Sequence, residues 1–249
     1  MSMSRSNVVC GTILAFATLA RHLAFAEPVV VSSPGGGVKA ELSSDEAGIH
    51  YSVSLDGHQV LGPSKVSIQS DGILLGKEGT LGAPEIREVN ESYPFFGGKS
   101  KAVNHARVAT FPVTTATEQY HLDLHVADDG VGIRLRLPAK TDRKVETDSS
   151  TWKLPGNPVV WVTQYDPGYE QHYRPSTLGE LGARRYGFPL TAKIGESYVT
   201  LTEAALKDYG DPQEYWTGRW GFARSWRPRM TLRASMRSWE SDTSSCTRP

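Results

Sequence analysis

The sequence predicts an all-β protein, an antiparallel β-sandwich. Three observations carry that expectation. Short segments alternate apolar with polar residues at the period of two that a half-buried strand needs, as in Val38-Lys39-Ala40-Glu41-Leu42 and Val131-Gly132-Ile133-Arg134-Leu135. Turn dipeptides such as Asp56-Gly57 and Asp71-Gly72 separate these segments roughly every 8 to 15 residues, the spacing of a sandwich. No run between Glu27 and Thr202 sustains a helical period.

The chain opens on a targeting pattern. Arg5 supplies a positive start, Val8 to Ala20 an apolar run, and Ala24-Phe25-Ala26 a small-x-small cleavage sequence. A signal peptide over residues 1–26, cut after Ala26, is expected, with a periplasmic or secreted product. The apolar run is too short to cross about 30 Å of hydrocarbon, and Arg21 and His22 follow it. Cys10 lies inside the run, so Cys246 is the one cysteine expected in the mature chain and no internal disulfide forms. Core burial must then supply the stability.

Strands follow in order. Val29 to Ser32 and Val38 to Leu42 flank a Pro34-Gly35-Gly36-Gly37 turn. Ile49 to Leu55 runs into Asp56-Gly57, a strong hairpin signal, and His58 to Leu61 returns before a break at Gly62-Pro63. Val66 to Gln69 ends at Asp71-Gly72. Glycine, proline and acidic residues between Gly72 and Phe96 predict a long connection with one short strand near Ile86 to Asn90. Lys101 to Phe111, Gln119 to Val126 and Val131 to Leu137 are the next strands, the last two joined by an Asp128-Asp129-Gly130 turn. Pro189 to Ile194, Gly195-Glu196 and Ser197 to Thr202 form a final hairpin, with Glu203 at the strand exit and a short helix expected over 203–207.

Charge and motifs exclude several functions. The 27 basic residues balance the 27 acidic ones, which gives no electrostatic footprint for nucleic acid. A nucleophile elbow, an HExxH zinc sequence, a phosphate-cradling loop and a CxxC pair are all absent from the sequence. Asp56, Asp128 and Asp129 sit beside glycines where aspartate favours turns for local backbone reasons. His121 and His125 alternate as strand residues do. The candidate ligand-binding stretch is Trp161 to Tyr173, with Trp161, Tyr165, Asp166, Tyr169, Glu170, His172 and Tyr173. Aromatic faces stack on the C–H face of a sugar, while carboxylate and imidazole groups bond its hydroxyls. A tyrosine-rich loop whose rings pack on the sandwich is the competing interpretation.

Four segments together carry a family resemblance: Tyr51-Ser52-Val53 leading into Asp56-Gly57, Asn104-His105, Asp128 to Arg134, and Glu203-Ala204-Ala205-Leu206-Lys207-Asp208-Tyr209. In order and spacing, over roughly Val29 to Asp211, the chain resembles the N-terminal domain of family 97 glycoside hydrolases. The resemblance implies a galactose-mutarotase-like sandwich that precedes a (β/α)8 barrel hydrolysing α-linked glucosides or galactosides with calcium. It implies that Glu203 reaches toward that Ca2+, and that the Trp161 segment faces the barrel. One carboxylate is too few to hold the ion, so calcium binding is expected to be weak or absent here. The competing role for Glu203 is to cap the short helix it starts.

Residues 212–249 differ in character, dense in arginine and in Trp216, Trp220, Trp226 and Trp239, without strand alternation. They are expected to be a truncated or frame-shifted remnant; a basic-aromatic tail for a polyanion or membrane is the alternative. The function implied is a carbohydrate-binding scaffold of an α-glycoside hydrolase, not active alone. The alternatives are a stand-alone carbohydrate-binding module that takes an α-linked oligosaccharide, or an interaction domain for a separately encoded barrel chain.

Overall fold

In the computed structural model the described residues are 27–203, apart from 78, 95, 97, 99, 139–144, 167, 169 and 183, together with 225–226 and 232–234. The segment expected to be a signal peptide, both cysteines and most of the tail lie outside them.

The chain opens with a four-stranded antiparallel meander, β1 (Val29–Ser32), β2 (Val38–Asp45), β3 (Gly48–Leu55) and β4 (His58–Lys65). Alternation sets its inner face: Val38, Ala40 and Leu42 are buried while Lys39 and Glu41 are exposed. Asp56 and Gly57, at φ 49° and 80°, supply the two positive φ values that a tight hairpin turn requires. The break expected at Gly62-Pro63 does not occur. β4 runs through it to Lys65 with a register shift, and Gly62 bonds Lys153 outside the sheet.

A small sheet follows, in which β5 (Ile68–Ser70) lies between β6 (Ile73–Leu75) and β12 (Val145–Asp148). The expected long connection holds more strand than the sequence suggested: β7 (Thr80–Leu81) and β8 (Glu85–Pro94) both pair with the 14-residue β9 (Lys101–Thr114). The short strand expected near Ile86 to Asn90 is the middle of β8, whose full length goes unmarked by alternation because its residues are exposed on both faces apart from partly buried Val89. Among the described residues it pairs with β9 alone, which makes it an edge strand.

β9, β10 (Gln119–Ala127) and β11 (Gly130–Arg136) continue the large sheet, joined on its other side by β13 (Val159–Gln164), β14 (Arg174–Thr177), β15 (Tyr186–Ile194) and β16 (Ser197–Glu203). The tail contributes β17 (Ser225–Trp226) beside β16 and β18 (Leu232–Ala234), which pairs in parallel with both β16 and β11. Two short strands therefore stand in a segment that shows no strand alternation.

The large sheet and the meander face each other, β2 lying against β10 and β11. Phe111, Leu122 and Leu124 from one sheet and Leu42, Val53 and Leu61 from the other are fully enclosed. Each such side chain contributes about 1.5–3 kcal/mol. β13, β15 and β16 add Val160, Leu190, Ala192, Val199 and Leu201 to the same core.

A polar contact crosses this interior. The Gly76 amide donates to the buried Tyr120 hydroxyl at 2.9 Å. Burial pushes the Tyr120 phenol up to about 12. Tyr120→Phe would leave that amide without its partner, so urea unfolding should show a loss of about 1–3 kcal/mol; an unchanged midpoint would mean another group replaces the bond.

Candidate functional site

The residues singled out from the sequence divide between a strand and a loop. Trp161 stands on β13, in register with Thr191 of β15 and Pro175 of β14. Its neighbours Val160 and Val162 point into the core, so Trp161 occupies the opposite, outward face. There its ring meets Tyr198 of β16, centroids 5.8 Å apart and tilted by 46°. The Lys193 ammonium lies 6.0 Å from the Tyr198 centroid.

Tyr165 to Tyr173 form the connection between β13 and β14, beyond the end of the paired strands. The Tyr165 amide donates to the Arg185 carbonyl, which anchors the loop. Asp166 organises the tip: Oδ1 accepts from the Gly168 amide at 2.8 Å and Oδ2 from Gln171 Nε2 at 2.9 Å. The Gln171 bond, then the Gly168 amide, hold its carboxyl below the usual range. Tyr173 donates to the Phe188 carbonyl at 3.0 Å, and its partial burial raises the phenol. Glu170 and His172 are exposed, and Tyr169 lies outside the described residues. Trp161 is thus joined to Tyr198, while Asp166 spends its oxygens on the loop itself.

Glu203 is the last residue of β16, opposite Ala234 in the parallel pair with β18. A helix does not begin there, since strand pairing continues through it; residues 204–207 lie outside those described. Calcium takes about six to eight oxygen ligands. Among the described residues no group of three or more His, Cys, Asp or Glu side chains is placed to hold a metal ion. The described donors do not fit a complete calcium site.

The outward face also carries charge. Asp123 of β10 is almost wholly buried, its side chain 6% exposed. It accepts from Arg134 at 2.6 and 3.0 Å, from Arg136 at 2.7 and 3.0 Å, and from the Thr110 hydroxyl at 2.9 Å. Burial pulls its carboxyl upward, but the bonds from Arg136, Arg134 and Thr110 outweigh that and hold it below the usual range. On the same face Asn104 donates to Glu91 at 2.9 Å and presents its carbonyl oxygen to His125 Nε2 at 3.0 Å. A carboxylate only accepts, so Glu91 orients the amide and His125 must carry its proton on Nε2.

Sequence reasoning passed over Asp123, and took Asn104 as part of a resemblance and His125 as a strand residue without pairing them, although the Asp128-Asp129 turn held the signal for the first. A two-residue turn there fixes the register that sets Asp123 opposite Arg134. Asp128 does more than turn the chain. Its Oδ1 accepts the Gly35 amide at 2.6 Å, tying this hairpin to the first glycine turn, and its Oδ2 lies 3.5 Å from His105 Nδ1.

Comparison with known proteins bears on this arrangement. Two solved structures of a glycoside hydrolase family 97 enzyme from Pseudoalteromonas sp. strain K8, one with acarbose and one with panose, align with TM-score 0.67 at 18% identity. They cover 79% of this chain and 31% of theirs. A β-arabinopyranosidase aligns with TM-score 0.64 at 19% identity, over 70% of this chain and 31% of its own. This chain therefore spans about a third of the length of these relatives. Among curated protein sequences none matches. The family model described as glycosyl-hydrolase 97 N-terminal matches residues 31–213, most of the chain and all of the strands from β2 to β16, and the chain belongs to that family.

Proposed function

We propose that this chain is the carbohydrate-engaging N-terminal scaffold of an α-glycoside hydrolase, whose bond-breaking residues belong to the part of such enzymes that it does not match. The match over residues 31–213 to a model of the N-terminal domain carries the reading. Family 97 structures with acarbose and panose support α-linked oligosaccharides as the ligand class. Hydrolysis of a glycoside needs two carboxyl groups flanking one bond, an acid and a base or nucleophile. Asp123 is unsuited to either role, because five hydrogen bonds already occupy it.

The test is an assay of the purified chain on p-nitrophenyl α-glucoside, beside calorimetric titration with maltose and a longer α-glucan. Heat of binding without turnover is the expected result. Turnover would overturn the scaffold reading, and absence of binding would remove its carbohydrate component, leaving an interaction domain for a barrel chain.

Glu203 is proposed as one ligand of a calcium ion whose other ligands belong to the part of such enzymes that this chain does not match. The isolated chain should then bind calcium no tighter than about 10⁻³ M. Titration giving a micromolar constant would refute this.

A further inference from the structure

We propose that the outward face of β13, β15 and β16 is a sugar-stacking surface, with Trp161 and Tyr198 as its rings and an α-linked glucose oligosaccharide as its ligand. It rests on the carbohydrate reading above and moves the contact from the Tyr165 to Tyr173 loop to the sheet.

The strands themselves set up the surface. Val160, Leu190, Ala192, Val199 and Leu201 fill the sandwich core, so the alternate positions are turned outward. Register places Val159 beside Lys193 and Lys193 beside Tyr198, and in the neighbouring row Trp161 beside Thr191 and Thr191 beside Thr200. Tyr198 is 37% exposed and Val159 40%. A strand face open to solvent ordinarily carries small polar or charged side chains, and large rings on it mark contact with something else.

The rim selects the ligand. The half-buried Thr191 shares a hydrogen bond at 2.7 Å with the buried Thr200 and keeps acceptor capacity of its own. Lys193 adds an ammonium at the Tyr198 ring. A purely apolar partner would strip water from Thr191 and Lys193 without replacing it. A pyranose lays its C–H face on a ring and turns its hydroxyls outward to such donors and acceptors, satisfying both halves of the surface. Two rings 5.8 Å apart give successive sugars of one chain a contact each.

The loop is less suited to the task. Asp166 is bonded to Gly168 and Gln171, and Tyr173 to Phe188, so both already have partners within the protein.

Calorimetric titration of the full chain with maltoheptaose tests the proposal, with thermal unfolding of each variant confirming a folded protein. Trp161→Ala and Tyr198→Ala should each weaken binding at least tenfold, and Tyr198→Phe, which keeps the ring, should bind nearly as the parent does. Tyr173→Ala should bind unchanged. Loss of binding in Tyr173→Ala with retention in Tyr198→Ala would place the sugar at the loop, overturning this proposal and leaving the carbohydrate reading intact. No heat with the parent chain would overturn both. If Trp161→Ala proves unfolded, the contrast between Tyr198→Ala and Tyr198→Phe decides, since equal affinities would exclude stacking at this position.

Discussion

Asp123→Ala should destabilise the protein by about 3–5 kcal/mol, the largest loss expected from any single charged residue here. The reason is what remains behind. Arg134, with a side chain 10% exposed, would keep its charge where water scarcely reaches it. Arg136 is 42% exposed and would turn toward solvent, so the burden falls on Arg134. In a folded region of this size each kcal/mol corresponds to about 2–4 °C, so a fall on the order of 10 °C in Tm is expected. An Arg134→Met, Asp123→Leu double variant should recover much of the loss, because it removes both charges together.

The same group predicts a pH dependence. The Asp123 carboxyl is held below its ordinary value in the fold, so its ionised form favours the folded state. Its contribution is complete above the unfolded value of about 3.9 and is lost as pH falls through the depressed folded value. Stability measured from pH 6 downward should therefore fall less steeply in Asp123→Asn than in the parent. Parallel curves would assign the acid sensitivity to other carboxylates.

Gly76→Ala should be comparably damaging through the backbone alone. Gly76 has φ 84°, and a Cβ built there would lie 2.0 Å from the Val66 carbonyl oxygen. The positive φ costs an L-residue about 1–2 kcal/mol. The contact requires two backbone segments to part, which disturbs the Gly76 carbonyl that receives the Ile49 amide at 2.7 Å and the Gly76 amide bonded to Tyr120. A total of about 4 kcal/mol or more is expected, and urea unfolding measures it. Gly57→Ala provides the comparison: φ is also positive, at 80°, but nothing lies within 4 Å of the added carbon, so only the conformational cost should appear.

These cases mark what sequence can and cannot convey. The meander β1 to β4 and the hairpin β15–β16 were legible because one face is buried and the other wet, so the period of two is written in residues such as Val38, Ala40 and Leu42. β8 was only partly legible because neither of its faces is buried. Gly62-Pro63 misled because a break by local propensity was absorbed as a register shift in an otherwise paired strand. At the candidate site, Trp161 was legible as a residue but not as a surface. Its partner Tyr198 is 37 residues away in sequence and is brought to it by strand order, which local pattern does not encode. The burial of Asp123 was hidden for a related reason, since a lone aspartate in a strand gives no sign that two arginines close over it.

The edge position of β8 has a consequence for how molecules of this protein behave in company. Ten residues of extended backbone lie at the margin of the sheet, the kind of template on which a strand from another molecule nucleates aggregation. Glu85, Arg87, Glu88 and Glu91 stand along it, and Pro94 closes it with a residue that has no amide hydrogen. A strand arriving there would have to pull charges out of water and would meet a missing donor at one end. The polar composition that conceals β8 in the sequence also makes it a guarded edge, one whose charges and terminal proline oppose the addition of a strand from another molecule.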